Sequence, residues 1–505
     1  MEKFYLTTPI YYASGSPHIG HAFAAVFADV VARRQKAKGK DVYLSAGLDE
    51  HGSKIEEKAK KENKDPQKFT DEIAQSYLSA WKSLGIEYSI AQSYLSAWKS
   101  LGIEYSDFIR TTSSKHKNGV LEFVKKLWDA GDIYEGEYEG LYCVGCENFV
   151  LERNLVDGLC PDHLIAPQKI KEKNYFFNLK KYLPEIKKKI ENGELKIIPD
   201  SRKNETLAMA ESGVSDFSIT REGLKWGIPF PYGNSPAGEQ TIYVWADALI
   251  NYATILGYPD GKNFKKYWPP DLHIIGAEIN KFHSIYWPAI LMSAGLSLPK
   301  EIFIHGLFTV NGQKMSKTIG NIIDPIDLAE KFGADAARYL LLSQFPASEH
   351  GDVKAEEFAR KYNSDLANGI GNLLERSFTM MIDYRGGIID AKNGLDEKIK
   401  SSAEETEKNY ENNFDNYKLY EALADVFAFI KKLDVYINEE KPWVLNKNQS
   451  AHRRIKLDEV LNSLLFGIEK IIAWLEPFMP SKMAEAKNYL AELKKEDRLG
   501  LFKRI

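Results

Sequence analysis

The sequence predicts an α/β domain built on a parallel sheet, with a small inserted segment, followed by an all-helical domain. Three observations predict this. In residues 1–115 and again in 236–323, short aromatic and β-branched runs alternate with stretches of helical periodicity, the pattern of buried parallel strands joined by crossover helices. Residues 116–235 interrupt that rhythm with an aromatic strand-like run, lysine-rich stretches and all three cysteines of the chain. Beyond Asp324 strand signals vanish, and apolar residues recur at three- and four-residue spacing, as in Leu419, Leu423, Val426, Phe427, Ile430 and Leu433.

The first run, residues 4–10, reads FYLTTPI and predicts a buried strand. A turn containing His18, Gly20 and His21 follows, and Phe23, Val26, Phe27, Val30 and Val31 then mark one face of a helix. Basic residues and Gly39 close that helix, as the macrodipole and C-cap preferences favour. Residues 42–45 supply the next strand. Such a strand-to-helix turn presents backbone N–H groups at a helix N-terminus, which attract phosphate. Gly20 lets a ligand approach the backbone, and His18 and His21 can donate hydrogen bonds to phosphate oxygens. Asp49, at the end of the second strand, is placed to bind an ammonium group, to cap a helix, or both.

Residues 73–89, IAQSYLSAWKSLGIEYS, recur unchanged as 90–106. Seventeen residues advance a helix by four turns and about 260°. A continuous helix would turn Tyr94, Leu95, Trp98 and Leu101 away from the face used by the first copy. One copy is therefore expected to fill a helical slot with its Trp and Leu inward. The other is expected to form an extra helix or loop that the fold does not need.

The insertion, residues 116–235, begins with a helix at 116–130 and an aromatic strand at 134–142. Its cysteines fall in two knuckles, Cys143-Val-Gly-Cys146 and Cys160-Pro-Asp-His163. Three thiolates and one imidazole make a complete tetrahedral set for one structural zinc, with Asp162 a poorer fourth ligand. A disulfide would leave one thiol over. Four protein ligands leave no open position, so such a zinc would not be catalytic.

A length of 505 residues suggests two to four domains, and a net charge of −4 excludes a globally basic nucleic-acid binder. Local basic patches remain at Lys169, Lys171 and Lys173, at Lys180 and Lys181, at 187–189, and at Lys431 and Lys432. The N-terminus enters a strand with no apolar leader, and no run approaches the roughly 20 apolar residues of a membrane span. These features point to a cytoplasmic protein off the membrane.

In the second α/β half, Tyr243-Val244-Trp245 opens a helix through Tyr252, a strand ends at Gly276, and residues 277–288 read as another helix. A polar loop, Asn311-Gly312-Gln313-Lys314-Met315-Ser316-Lys317-Thr318, follows the strand at 302–305. Its two lysines form a cationic clamp around a serine. His18-Ile19-Gly20-His21 and this lysine loop lie 293 positions apart, from His18 to Asn311. Together they resemble the two signatures of class I aminoacyl-tRNA synthetases, with Thr318 keeping the hydroxyl of the last position.

Within that class the chain resembles the methionyl-tRNA synthetases along almost its whole length. The resemblance rests on Thr8-Pro9-Ile10-Tyr11-Tyr12, Asp49-Glu50-His51-Gly52, Tyr243-Val244-Trp245, Phe282-His283-Ser284 and Trp287-Pro288 together with the two signatures. It implies a Rossmann-type catalytic domain, a linking stem-contact region at 324–360 and an α-helical anticodon-binding domain at 361–505. It implies a methionine pocket of Ile10, Tyr12, Asp49, Trp245, Ala248, Leu249, Tyr252, Ile279, His283 and Trp287. Aromatic edges suit a thioether, Tyr252 and His283 offer polar contacts to sulfur, and Asp49 neutralises the ammonium.

The resemblance further implies ATP with Mg²⁺ held by His18, Gly20, His21, Glu278, Lys314, Met315, Ser316 and Lys317. His18 and His21 would meet the phosphates, Glu278 the ribose hydroxyls, and Lys314 and Lys317 the reacting phosphate and departing pyrophosphate. Gly276-Ala277-Glu278 departs from the family's usual Gly-Lys-Asp. Anticodon contacts would fall to Asn372, Arg376, Pro442 and Trp443, and the partner to initiator and elongator tRNA(Met). The chain ends at Ile505 without room for an appended oligonucleotide-binding domain, which implies a monomer. Two alternatives are another class I synthetase, for Val, Ile, Leu or Cys, and a non-catalytic tRNA-binding relative. The first three would carry a larger editing insertion and the cysteine enzyme a catalytic zinc. The non-catalytic relative would not need His18, His21, Lys314 and Lys317.

Overall fold

The computed structural model of the chain describes residues 1–13, 17–84, 106–143, 148–150, 152, 155–161, 164–212, 214–233, 240–315, 321–389, 394–447, 450–493 and 499–505. The chain divides into two compact units. The first comprises Met1–Pro17, Gln35–Lys82 and Ile86–His305, the second His18–Arg34, Ser83–Gly85 and Gly306–Ile505.

The first unit is built on six parallel strands: β1 (Lys3–Tyr12), β2 (Asp41–Asp49), β3 (Asp107–Arg110), β4 (Lys196–Ile198), β5 (Leu272–Gly276) and β6 (Glu301–His305). Their order is β3-β2-β1-β5-β6-β4, every neighbouring pair parallel. Phe4, Tyr5, Leu6, Thr7 and Thr8 of β1 are all buried, as are all five residues of β5. Both faces of the central strands are thus covered, which is why they read as continuous apolar runs. The strand order reverses at β1, between β2 and β5, and in open α/β sheets ligands bind outside the carboxyl ends of strands at such a point.

A separate four-stranded antiparallel sheet carries the insertion, in the order Asn148–Val150, Ile133–Cys143, Gln168–Phe177, Phe217–Ser218. Residues 116–235 were expected to form that insertion alone, yet β4 pairs with β6 and completes the main sheet. Three residues are too few to show alternation in sequence. The helix Ser114–Asp129 likewise packs on the helix Val244–Thr254, where a Cβ on Gly119 would come within 2.5 Å of Thr254 Cγ2.

The first copy of the repeat closes the helix Pro66–Ser83. Ala74, Tyr77, Ala80 and Leu84 are buried, and the Tyr77 ring stacks on Tyr11 at 5.5 Å. Leu78 is half-buried rather than inward. The Trp81 side chain, the end of the first copy and the second copy as far as residue 105 lie outside the described residues. The chain resumes at Ser106, whose N–H donates to Leu44 O (3.0 Å) and whose hydroxyl accepts from Leu44 N–H (3.2 Å), and β3 follows.

The second unit joins most of the helix Ile19–Ala37 to the helical C-terminal half. The Asp29 carboxylate lies between Arg33 (2.7 Å) and the buried Arg338 (2.6 Å). Arg338 also donates to the carbonyls of Pro477 and Phe478, both at 2.9 Å, and Arg34 pairs with Glu411. The expected helical core is present: Leu419, Leu423, Val426, Ile430 and Leu433 are buried, while Phe427 is half-buried against Tyr339. One strand appears where none was expected. Gly351–Val353 pairs in parallel with Phe308–Val310, which pairs antiparallel with Gln313–Lys314. No described helix is long and apolar enough to cross a membrane.

Candidate active site

In the first unit, one group of the sequence-predicted site residues gathers at the carboxyl ends of β1, β2 and β5. Tyr12 and Asp49 end paired strands, in register with each other, and the Asp49 carbonyl accepts from Ala13 N–H at 2.8 Å. Asp49 is buried, so charge interactions of its side chain are screened far less than in water. The Tyr12 hydroxyl donates to His51 O at 3.2 Å. Ile10 and Ile279 are half-buried beside these strand ends.

The wall comes from the helix Val244–Thr254 and from the segment after β5. Trp245 stacks flat on Phe282 at 3.9 Å, and Ala248, Leu249 and Tyr252 are buried. Tyr252 donates its hydroxyl to His283 Nε2 (2.7 Å), because His283 Nδ1–H is directed to Ile279 O (3.0 Å). Burial pushes the His283 imidazole down to about 4, so it is neutral near pH 7. Trp287 is fully buried, stacked on Phe123, and donates its indole N–H to His273 Nε2 at 3.3 Å. That leaves His273 Nδ1–H for Thr7 Oγ1 at 2.6 Å.

Residues 277–288 are not one helix. A 3₁₀ turn at Ala277–Ile279, a π-helical turn at Phe282–Tyr286 and a helix at Trp287–Ser293 replace it. The widened turn carries Phe282 and His283, and π turns concentrate at functional sites for this reason. Glu278 is exposed on the 3₁₀ turn, and its carboxylate lies so close over Gly276 that a Cβ there would sit 2.7 Å from Oε2.

In the second unit, the two signature motifs meet. A Cβ on Gly20 would lie 3.0 Å from His18 Cε1 and 3.3 Å from Met315 Cε, so the lysine-loop methionine reaches the histidine turn at a position where a side chain would crowd both. The two imidazoles stack at 3.8 Å. Gly20 N–H donates to His18 Nδ1 (3.1 Å) and His18 N–H to His21 Nδ1 (3.3 Å), which makes Nε2 the protonated nitrogen of a ring that accepts at Nδ1. Burial, and secondarily the His18 ring, holds His21 well below the usual imidazole range, so it serves as a neutral donor rather than a cation.

Lys314 pairs by its backbone with Thr309, while its side chain and all of Ser316, Lys317 and Thr318 lie outside the described residues. The hairpin turn at Asn311 and Gly312, with φ of 53° and 73°, is held by Asp352. Its Oδ1 accepts from Gly312 N–H (2.6 Å) and from the Thr309 hydroxyl (2.8 Å). Sequence reasoning missed Asp352, and equally His116 and Asp247, because no local motif marks them.

On the helical surface, Asn372 is exposed, Pro442 buried and Trp443 37% exposed. The helices Asn372–Arg385 and Pro442–Lys447 are in contact, and Arg376 donates to Asn438 Oδ1 at 3.2 Å and faces Asp434 at 3.6 Å. The lysine patches are mostly paired with acids: Lys169 with Glu139, Lys171 with Glu137, Lys181 with Asp132, and Lys187 with Glu211. Of these pairs only that of Lys181 reaches a buried acid; the others lie at the surface.

Of the metal-ligand set, Cys143 and Cys160 are described, while Cys146, Asp162 and His163 lie outside the described residues. Among described residues no cluster of three metal-binding side chains forms. The two described cysteines nevertheless fit a structural metal. Both are buried, at 0% and 1% exposure, in a segment that leaves Val156, Leu164 and Ile165 exposed. The Cys160 turn closes by Leu164 N–H to Cys160 O (2.8 Å) and Cys160 N–H to Ile165 O (2.9 Å). Burying both thiols while Val156, Leu164 and Ile165 stay exposed is the arrangement expected where thiolates, and not an apolar core, hold a small segment.

The sheet topology and the two converging motifs agree with the comparisons. The family model for class I tRNA synthetases (M) matches residues 4–91, 87–169 and 163–378, and that for the anticodon-binding domain of tRNA ligase matches 396–496. The chain therefore belongs to the class I tRNA synthetases, with a helical anticodon-binding domain at its C-terminal end. It is 42% identical to the methionine–tRNA ligase of Thermotoga maritima over 96% of this chain and 74% of that one. It is 39% identical to the methionine–tRNA ligase of Bacillus subtilis over 99% and 75%. The structure superposes on Mycobacterium tuberculosis methionyl-tRNA synthetase bound by methionyl-adenylate with a TM-score of 0.89 at 31% identity, covering 99% of this chain and 96% of that one. Within its class, the chain is a member of the methionine–tRNA ligase family. The first break in the family match, at 87–91, falls inside the tandem repeat.

Proposed function

We propose that this chain activates L-methionine with Mg²⁺-ATP and transfers the methionyl group to the 3′ end of tRNA(Met). The observation that carries the reading is the approach of the Met315 methyl to Gly20 of the histidine turn, which brings together two motifs from distant parts of the sequence. In the first step the methionine carboxylate attacks the α-phosphorus of ATP, forming methionyl-adenylate and releasing pyrophosphate. In the second, the terminal ribose hydroxyl of the tRNA attacks the acyl carbon and AMP leaves. Neither step needs a protein nucleophile, so positioning and charge stabilisation supply the rate.

Asp49 would hold the α-ammonium, and Ile10, Tyr12, Trp245, Ala248, Leu249 and Ile279 would enclose the side chain. Tyr252 and His283, already fixed by their mutual hydrogen bond, would face the thioether, with Trp287 buttressing them from the core. His18 and His21 would donate through Nε2–H to the ATP phosphates. Gly20 would pack against the adenosine and Glu278 would take the ribose hydroxyls. Lys314 and Lys317, carried with Met315, Ser316 and Thr318, would neutralise the charge that develops on the α-phosphate and pyrophosphate. Asn372, Arg376, Pro442 and Trp443 would read the anticodon, with Trp443 offering a stacking face.

ATP–pyrophosphate exchange with the amino acids tested singly decides the reading: methionine should support exchange. Exchange with valine, isoleucine or cysteine and none with methionine would overturn it. We assign the structural zinc to Cys143, Cys146, Cys160 and His163, where it would serve stability alone. About one equivalent per chain after dialysis is expected, and full retention by Cys146→Ser would refute that ligand set.

A further inference from the structure

Behind the amino-acid pocket lies a polar system that none of the roles above uses. Asp247 is fully buried, one turn along the helix whose Trp245, Ala248 and Tyr252 form the pocket wall. Its Oδ2 accepts from His51 Nδ1 at 2.6 Å and its Oδ1 from His116 Nε2 at 2.7 Å. Both imidazoles are buried, and His116 Nδ1 contacts Thr254 Oγ1, at the far end of the same helix, at 2.7 Å. Burial alone would raise the Asp247 carboxyl, but the two imidazoles hold it at about 2, so it is an anion accepting on both sides.

These bonds connect three separate pieces of chain. His51 follows the end of β2, where Asp49 lies, and its own carbonyl receives the Tyr12 hydroxyl. His116 begins the helix Ser114–Asp129, capped by Ser113. Asp247 and Thr254 bracket the wall helix. We propose that the His51–Asp247–His116 chain is a positioning device for the amino-acid pocket. It fixes the separation between the strand end that takes the ammonium and the helix that takes the side chain. A charged acceptor between two imidazole donors defines both distance and rotation, which apolar packing of the helix alone would not.

The device acts on methionine and not on ATP, so its signature is a split in kinetic constants. In exchange assays Asp247→Asn should raise the methionine KM at least tenfold and leave the ATP KM within twofold. His116→Leu, which removes one donor, should raise the methionine KM several-fold. His116→Gln, which keeps an N–H near the Nε2 position, should restore it to within twofold of the parent. An unchanged methionine KM in a folded Asp247→Asn or His116→Leu variant overturns the proposal, as does an equal rise in both constants. If Asp247→Asn does not fold, the His116 pair decides. The proposal rests on the methionine-pocket reading, which Trp245→Ala tests separately. Unaltered methionine KM in Trp245→Ala sinks that reading, whereas a raised value there with a normal one in Asp247→Asn sinks only the positioning role.

Discussion

The cluster at the strand ends, our proposed amino-acid pocket, and the lysine hairpin are built in opposite ways. In the cluster, several polar groups are fixed by the fold itself: Tyr252 to His283, His283 to Ile279, Trp287 to His273, Tyr12 to the His51 carbonyl. The hairpin is a pair of two- and three-residue strands with an exposed turn, tied down mainly by one aspartate. A site that must distinguish one side chain from its near neighbours gains from rigidity, because a loose wall accommodates the wrong one. On the proposed function, a cationic clamp that follows a phosphate through bond breaking gains from such a short tether at the base of the hairpin.

The largest expected effect lies on the hairpin. Lys317→Met should lower the adenylation rate on the order of 10²–10³-fold, the usual consequence of losing one transition-state donor, with the methionine KM little changed. A rate within threefold of the parent would remove Lys317 from the mechanism and with it the functional half of the contrast.

The pocket should reveal itself next, through pH. An unfolded histidine titrates near 6.5, whereas burial holds the folded His283 ring at about 4. As pH falls between those values the unfolded chain gains a proton that the folded chain refuses. The stability contributed by neutral His283 is complete above 6.5 and is lost by the time pH reaches 4. That loss amounts to up to about 3 kcal/mol. Denaturant melts at pH 7 and pH 5 should diverge less in His283→Leu than in the parent. Equal divergence in the two would mean that the ring is not held in a rigid dry site.

Much of this contrast was legible beforehand, and what was not has physical causes. The histidine turn and the lysine loop are local motifs whose backbone demands, a glycine under a ring and a tight hairpin, are written in adjacent residues. The helix Val244–Thr254 was legible from its spacing, whereas the pocket role of Trp245, Ala248, Leu249 and Tyr252 came only from the family resemblance, because an aromatic cluster at helical spacing is equally a core. The His51–Asp247–His116 chain has no such local trace, since its members lie on three elements 65 and 131 positions apart. The π turn at Phe282–Tyr286 escaped because one extra residue per turn leaves the apolar pattern helical. The strands Lys196–Ile198 and Gly351–Val353 escaped because three residues cannot display a period of two.

A gentler change sharpens the hairpin side. Asp352→Ala removes an exposed acceptor for Gly312 N–H and the Thr309 hydroxyl, and the fold should survive it. The turn would then wander, and the adenylation rate should drop several-fold at unchanged methionine KM. Asp352→Asn keeps the Oδ1 acceptor and should recover most of the rate. If Ala and Asn behave alike and like the parent, the loop does not depend on this tether.

The smallest expected effect concerns the repeat, and it is the most exacting check on the rigidity of the pocket. The repeated segment lies between the helix Pro66–Ser83 and β3. β3 leads directly into Arg110 and Thr112, which both hold the carboxylate of Glu50, and Glu50 adjoins Asp49 and His51. Any strain at the start of β3 would therefore be transmitted through Glu50 to Asp49 and His51, the end of the proposed pocket. That start is set by Ser106, the last residue of the second copy, through its two bonds to Leu44. Deleting residues 90–106 brings Ser89, an identical residue, into the same place before Asp107. The deletion variant should thus melt no lower than the parent, and its methionine KM and exchange rate should match. A melting temperature several degrees lower, or a raised methionine KM, would mean that the second copy is an integrated part of the first unit and that the pocket is tuned from the edge of the sheet as well as from Asp247.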